Sequence, residues 1–120
     1  MKRKQIKSRD RAEMYAKMNG RCAYCGTPIE LKGMQIDHVE PLYLGGKDEL
    51  WNMLPACNSC NHYKGTYTLE KFRAAIERWP QVLNRDSATF RNAARFGMVQ
   101  ATPHKVVFYF EQKEADTCLD

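Results

Sequence analysis

Two C-x-x-C pairs, Cys22-Ala23-Tyr24-Cys25 and Cys57-Asn58-Ser59-Cys60, stand 31 residues apart, and between and just after them lie Asp37-His38, Asn52 and Asn61-His62. The pairs suit one tetrahedral Zn²⁺. Each short knuckle bends two thiolates onto an ion, and two knuckles supply four sulfurs. A closed four-sulfur site has no open position, so its expected work is structural: it ties the chain near residue 22 to the chain near residue 60. Gly26 follows the first knuckle, where a tight turn favours a residue without Cβ. A redox C-x-x-C is the competing reading, made minor by the presence of two pairs at this spacing. Cys118 is left over and reads as a spare thiol.

The second group offers a different chemistry. Asp37 is a hard oxygen ligand suited to Mg²⁺ or Mn²⁺. Histidine titrates near neutral pH, so His38 is a candidate general base. Asn52 can hydrogen-bond the imidazole and fix its orientation. Asn61 or His62 can supply a second metal ligand, in a position fixed by the zinc-bound Cys60 before it. One conflict stands in this reading. Neighbours on a strand point to opposite faces, so Asp37 and His38 share a site only where the strand ends or bends, as Pro41 allows.

The elements that position these groups follow from pattern. Ser8 is placed to cap a first helix reaching Met18, with Ala12, Tyr15 and Met18 inward and Asn19-Gly20 ending it. Gln35–Val39 and Met53–Ala56 read as short strands joined by a loop that turns at Gly45-Gly46. Asn58–Lys64 reads as a helix stopped by Gly65. Thr68 precedes an amphipathic helix over Leu69–Trp79, with Leu69, Phe72, Ile76 and Trp79 on one stripe and Pro80 as its stop. Asp86 or Ser87 can cap a further helix through Phe96, with Phe90, Ala93 and Ala94 inward. Lys105–Glu111 reads as a strand. Lys47, Asp48 and Glu49 read as solvated loop charges, and His104 as a surface residue. Arg91 and Arg95 suit a basic helix face or ordinary solvation equally.

The run from Gln35 through Leu42, then Gly45-Gly46, Trp51-Asn52-Met53-Leu54 and Cys57 through Gly65, resembles the HNH endonucleases, in particular the small four-cysteine members of phages and prophages. The resemblance covers about residues 21–65. More weakly, Phe72, Trp79, Asp86, Phe90, Arg95-Phe96-Gly97 and Val107–Phe110 are similar to the C-terminal extension of such proteins. It implies an α+β fold: a ββα-metal core with a structural four-cysteine zinc site, an N-terminal helix and a C-terminal helical and strand extension. It implies one domain, comprising a basic arm and helix (1–20), the nuclease core (21–65), a helix-helix-strand extension (66–111) and an acidic tail (112–120).

By the same resemblance His38 is the base that activates water, Asn52 orients it, and Asp37 and Asn61 hold one catalytic Mg²⁺ or Mn²⁺. Asn61 stands where many members carry histidine. His62 falls one residue late, which turns it away on a helix; it remains an alternative ligand or a DNA contact. The implied reaction is hydrolysis of a DNA phosphodiester, leaving 5′-phosphate and 3′-hydroxyl ends. A homodimer or a phage packaging terminase partner is an expectation from the family alone.

Charge agrees with a polyanionic partner. Of the net +5, most comes from residues 1–25, where Lys2, Arg3, Lys4, Lys7, Arg9, Arg11, Lys17 and Arg21 face only Asp10 and Glu13. Lys2, Arg3, Lys4, Lys7, Arg9, Arg11 and Lys64 are the expected DNA contacts. The longest apolar run, Val106–Phe110, is far too short to span a bilayer. No apolar segment follows Met1-Lys2-Arg3-Lys4, so a reducing bacterial cytoplasm is the expected setting. Two rival classes remain. A zinc-stabilised binding module would not need Asp37, His38 and Asn61 together. An interaction protein would use Val106–Phe110 as an exposed strand against a partner's sheet edge.

Overall fold

The computed structural model describes residues 5–119, with side chains through Glu114; Lys2, Arg3, Lys4 and the Cys118 thiol lie outside it. The elements are α1 (Ser8–Lys17), β1 (Gln35–His38), β2 (Met53–Ala56), α2 (Asn58–Lys64), α3 (Leu69–Asp86), α4 (Ala88–Arg95) and α5 (Tyr109–Leu119), with 3-10 turns at Leu31–Gly33, Leu42–Leu44 and Leu50–Asn52. The chain forms two units, one holding residues through Leu69 and again from Val107, the other Glu70–Val106.

In the first unit β1 and β2 pair antiparallel, with Gln35 opposite Ala56 and His38 opposite Met53. The strand ends at His38, where the sequence required a break. α2 follows β2 after one residue, Cys57, whose sulfur accepts from the Cys60 amide. The core is small and built around the first knuckle: Met18, Cys22, Ala23, Tyr24, Met34, Met53, Ala56 and Phe108 are buried. Main-chain bonds tie that knuckle to its surroundings, Ala23 N donating to Pro55 O at 2.8 Å and Phe110 N to Ala23 O at 2.8 Å.

Three local expectations are corrected here. Lys7, not Ser8, bounds α1, with no side-chain cap. The inner face of α1 is Arg11, Met14, Tyr15 and Met18, while Ala12 is exposed. The face is fixed by polar reach: Arg11 Nη2 donates to the Leu31 and Met34 carbonyls at 3.0 and 3.1 Å, and Tyr15 Oη to Ile29 O at 2.8 Å. Lys105–Glu111 is not a strand. It runs without a sheet partner to Phe108 and then enters α5. The β-branched and aromatic run signalled burial, which the knuckle supplies without a ladder. Glu111 Oε1 accepts from Phe108 N at 2.9 Å, half of a capping box that starts the helix. With Phe108 only 1% exposed, the partner-strand reading loses its basis.

In the second unit α3 continues through Pro80 to Asp86 instead of stopping at Trp79. The apolar spacing 69, 72, 76, 79 continues to Leu83, so the stripe outlasts the missing donor. Of the two expected caps it is Ser87 whose Oγ caps α4, accepting from Phe90 N at 3.1 Å. Phe90 and Ala93 are half-buried, while Ala94 is exposed. The chain after α4 is held to α3 at one residue: Val106 N donates to Glu77 Oε2 at 2.8 Å, and Val106 O accepts from Arg73 Nη1 at 2.7 Å.

Candidate active site

The four knuckle sulfurs, Cys22, Cys25, Cys57 and Cys60, lie within 4.8 Å of one another, with Cys25 and Cys57 at 3.8 Å. A tetrahedral zinc with bonds of about 2.3 Å places its sulfurs about 3.8 Å apart, so donor type, number and spacing all fit Zn²⁺. The crowding already favours a thiolate. Cys22 is driven well below the ordinary thiol range, chiefly because Cys60 donates to it, and the same bond holds Cys60 up.

Asp37, His38 and Asn61 line one open cleft of about 630 Å³, together with Tyr43 and Thr66. The sequence conflict over strand neighbours is met by position, since His38 is the last strand residue. Asp37 is 3% exposed and carries two partners. Tyr24 Oη donates to Oδ2. Lys64 Nζ lies 3.1 Å from Oδ2 and 3.4 Å from Oδ1, and also donates to the His38 carbonyl at 3.0 Å. A carboxylate has about four acceptor sites, so Oδ1, touched only by the long contact, keeps capacity for a cation. Asn61 lines the same cleft, and an oxygen donor from each residue would suit a hard divalent ion.

His38 is 5% exposed, and its Nε2 lies 2.8 Å from Asp48 Oδ1. A carboxylate only accepts, so in the neutral imidazole Nε2 carries the proton and Nδ1 the lone pair. Among the described side chains Nδ1 is the one buried polar atom with no hydrogen-bond partner. Such an atom costs about 1–3 kcal/mol, and in native folds it calls for a functional account.

Asp48 is therefore not a solvated loop charge, as its sequence context suggested. Asn52 is also corrected. Its three side-chain bonds go to backbone: Oδ1 accepts from Glu40 N at 2.9 Å, and Nδ2 donates to Glu40 O at 2.9 Å and Lys47 O at 2.8 Å. It staples the chain just after His38 to the chain just before Asp48, and reaches the imidazole only through that loop. Gly46 permits the fold-back, because a Cβ there would lie 1.8 Å from Glu40 O. Two expected DNA contacts turn inward. Lys64 is 1% exposed and spent on Asp37 and His38, and Arg11 is spent on two carbonyls. Lys7 and Arg9 are exposed. His62 is exposed, stands edge-on to Tyr63 and does not line the cleft. Tyr24 and Asp48 escaped the sequence reading. The one signal for Tyr24 was its place between two ligand cysteines.

Residues 22–77, just under half of the chain, match the family model described as HNH endonuclease. A 56-residue stretch is 34% identical to the CRISPR-associated endonuclease Cas9 of Corynebacterium diphtheriae, covering 46% of this chain and 5% of that protein. A 62-residue stretch is 36% identical to the SPbeta prophage-derived YoqL of Bacillus subtilis, which carries the HNH endonuclease name; it covers 45% of this chain and 27% of that one. The chain thus spans under a third of either relative's length. The solved structure of the Type II-C Cas9 from Actinomyces naeslundii superposes with a TM-score of 0.52 at 26% identity, over 62% of this chain and 9% of that one. Among the described residues no helix is long and apolar enough to cross a membrane.

Proposed function

We propose that the protein is a metal-dependent DNA endonuclease of the HNH type, encoded by a phage or prophage, that hydrolyses phosphodiester bonds to 5′-phosphate and 3′-hydroxyl ends. The observation that carries the reading is the convergence of Asp37, His38 and Asn61 on one cleft, with the imidazole tied through Nε2 and its Nδ1 unpartnered. His38 Nδ1 takes the proton from the attacking water. Asp48 holds the ring in the tautomer that leaves Nδ1 free and steadies the imidazolium that forms. Asp37 Oδ1 and the Asn61 side-chain oxygen would hold one Mg²⁺ or Mn²⁺, which when bound neutralises charge on the transition state and on the leaving 3′ oxygen. Lys2, Arg3, Lys4, Lys7 and Arg9 meet the backbone and give affinity without sequence information. One such site cuts one strand, so a double-strand break takes two events or two copies. The prophage origin of YoqL supports the setting in a bacterial host cytoplasm.

The test is plasmid cleavage with Mg²⁺, Mn²⁺ or EDTA, using wild type and His38→Ala. The expected result is metal-dependent nicking by the wild type and loss by about 10²–10⁴ in the variant, with DNA binding retained. Equal rates in the two proteins would overturn the mechanism.

A further inference from the structure

Asp37 is held from two directions, and both holders come from the zinc clamp. Tyr24 lies between Cys22 and Cys25 and donates its hydroxyl to Oδ2. Lys64 lies on α2, which Cys57 and Cys60 anchor, and its ammonium reaches both carboxylate oxygens. Tyr24 is itself clamped. Its ring is edge-on to Phe108 at 5.2 Å and to Phe110 at 6.1 Å, and those two rings stack at 6.3 Å. Tyr109 N donates to Tyr24 O at 3.1 Å, and Tyr24 N to Cys22 Sγ at 3.4 Å. Side chain and backbone are thus fixed, with 3% of the residue exposed. A core position with that much aromatic packing would accept phenylalanine. The hydroxyl is the atom that packing does not explain, and its partner is the carboxylate assigned to the ion.

We propose that Tyr24 is a positioning residue that transmits the geometry of the zinc clamp, braced by the C-terminal Phe108 and Phe110, to the Asp37 carboxylate and so sets its affinity for a divalent cation. The inference rests on the nuclease reading for the identity of the Asp37 site. The physical argument is a competition. Lys64 alone would draw both carboxylate oxygens onto its ammonium. With the Tyr24 hydroxyl on Oδ2, Lys64 lies nearer that oxygen, at 3.1 Å, than Oδ1, at 3.4 Å, and Oδ1 keeps acceptor capacity to spare. Outer partners of metal ligands act in this way, and losing one costs roughly 10–100-fold in affinity. The brace lies outside the family-matched segment, so the C-terminal aromatic run acquires a role in the site.

The experiment is calorimetric titration of Mn²⁺ into zinc-loaded full-length protein, comparing wild type, Tyr24→Phe, Phe110→Leu and Asp37→Ala, with zinc content and melting temperature measured in parallel. The expected result for Tyr24→Phe is a Mn²⁺ affinity about tenfold weaker, one zinc retained per chain, and cleavage restored at saturating Mn²⁺ to within about threefold of wild type. Phe110→Leu, which keeps the hydroxyl and loosens the brace, moves the affinity the same way by less. Unchanged Mn²⁺ affinity in a folded, zinc-loaded Tyr24→Phe overturns the proposal. Should that variant lose zinc, Phe110→Leu decides: a weaker affinity at unchanged melting temperature supports the proposal, and an unchanged one overturns it. Failure of the nuclease reading looks different, because wild type and Asp37→Ala would then bind Mn²⁺ alike.

Discussion

At the scale of single residues, the proposed mechanism separates groups that touch the reacting atoms from groups that hold them. The His38 imidazole is bonded to Asp48 at 2.8 Å, and that contact fixes which ring nitrogen is basic. Asp48→Ala frees the imidazole to rotate and change tautomer. The expected outcome is a kcat lower by about 10–100-fold with DNA affinity unchanged, measured by single-turnover nicking and gel shift. Asn61 is the other residue with a sharp expectation. It offers an oxygen where an imidazole would favour softer ions, so Asn61→His should move the metal preference from Mg²⁺ toward Ni²⁺ or Co²⁺. A metal profile unchanged by that substitution would remove Asn61 from the ligand set. His62 stays outside the cleft, and His62→Ala should leave the maximal rate within about twofold.

At the scale of elements, the loop between β1 and β2 works as one part. Asn52 makes three bonds that hold Glu40 and Lys47 together, and Gly46 lets the backbone pack against Glu40. Asn52→Ala takes the side-chain partner from those part-buried backbone groups and should cost about 1 kcal/mol or more, seen as a lower denaturation midpoint together with lost activity. α3 gives a prediction of opposite sign. Pro80 sits inside the helix, where it removes a donor and crowds the carbonyl four residues earlier. Proline costs about 3 kcal/mol relative to alanine in a helix interior, so Pro80→Ala should stabilise α3 by some part of that, read as a raised melting temperature. A lowered one would mean that the proline shapes the helix for packing.

At the scale of the whole molecule, charge and metal divide the labour. Most of the excess positive charge precedes the first knuckle, while two of its expected contacts, Arg11 and Lys64, are used internally. Neutralising Lys2, Arg3, Lys4, Lys7 and Arg9 should weaken DNA binding evenly across sequences and flatten the salt dependence, each lost phosphate contact reducing the slope of log K against log salt by about 0.9. A zinc held by the four cysteines would join the first knuckle to α2, and the C-terminal segment bonds to that knuckle at Ala23 and Tyr24, so removal of the metal should be felt throughout the first unit. Stripping zinc with a strong chelator should abolish its cooperative unfolding transition by circular dichroism, and added Mg²⁺ should not restore it.

The sequence by itself determined what is local. The two cysteine knuckles, both strands and α2 with its Gly65 end follow from spacing and residue type, because metal ligands and helix ends are short-range demands on particular atoms; Asp37 and His38 stand out in the same way, while Asn61 over His62 came from the family resemblance. Tertiary structure decided what depends on which distant groups meet. It turned Lys64 and Arg11 inward and brought Asp48 to His38. It made Asn52 a staple of backbone, and converted the C-terminal aromatic run from a strand into a brace for Tyr24. Each of these is a buried polar or aromatic group finding a partner more than a few residues away, and burial is what makes such a partner necessary. Spacing alone does not pair His38 with Asp48 or Tyr24 with Phe108, so only the folded chain shows them together.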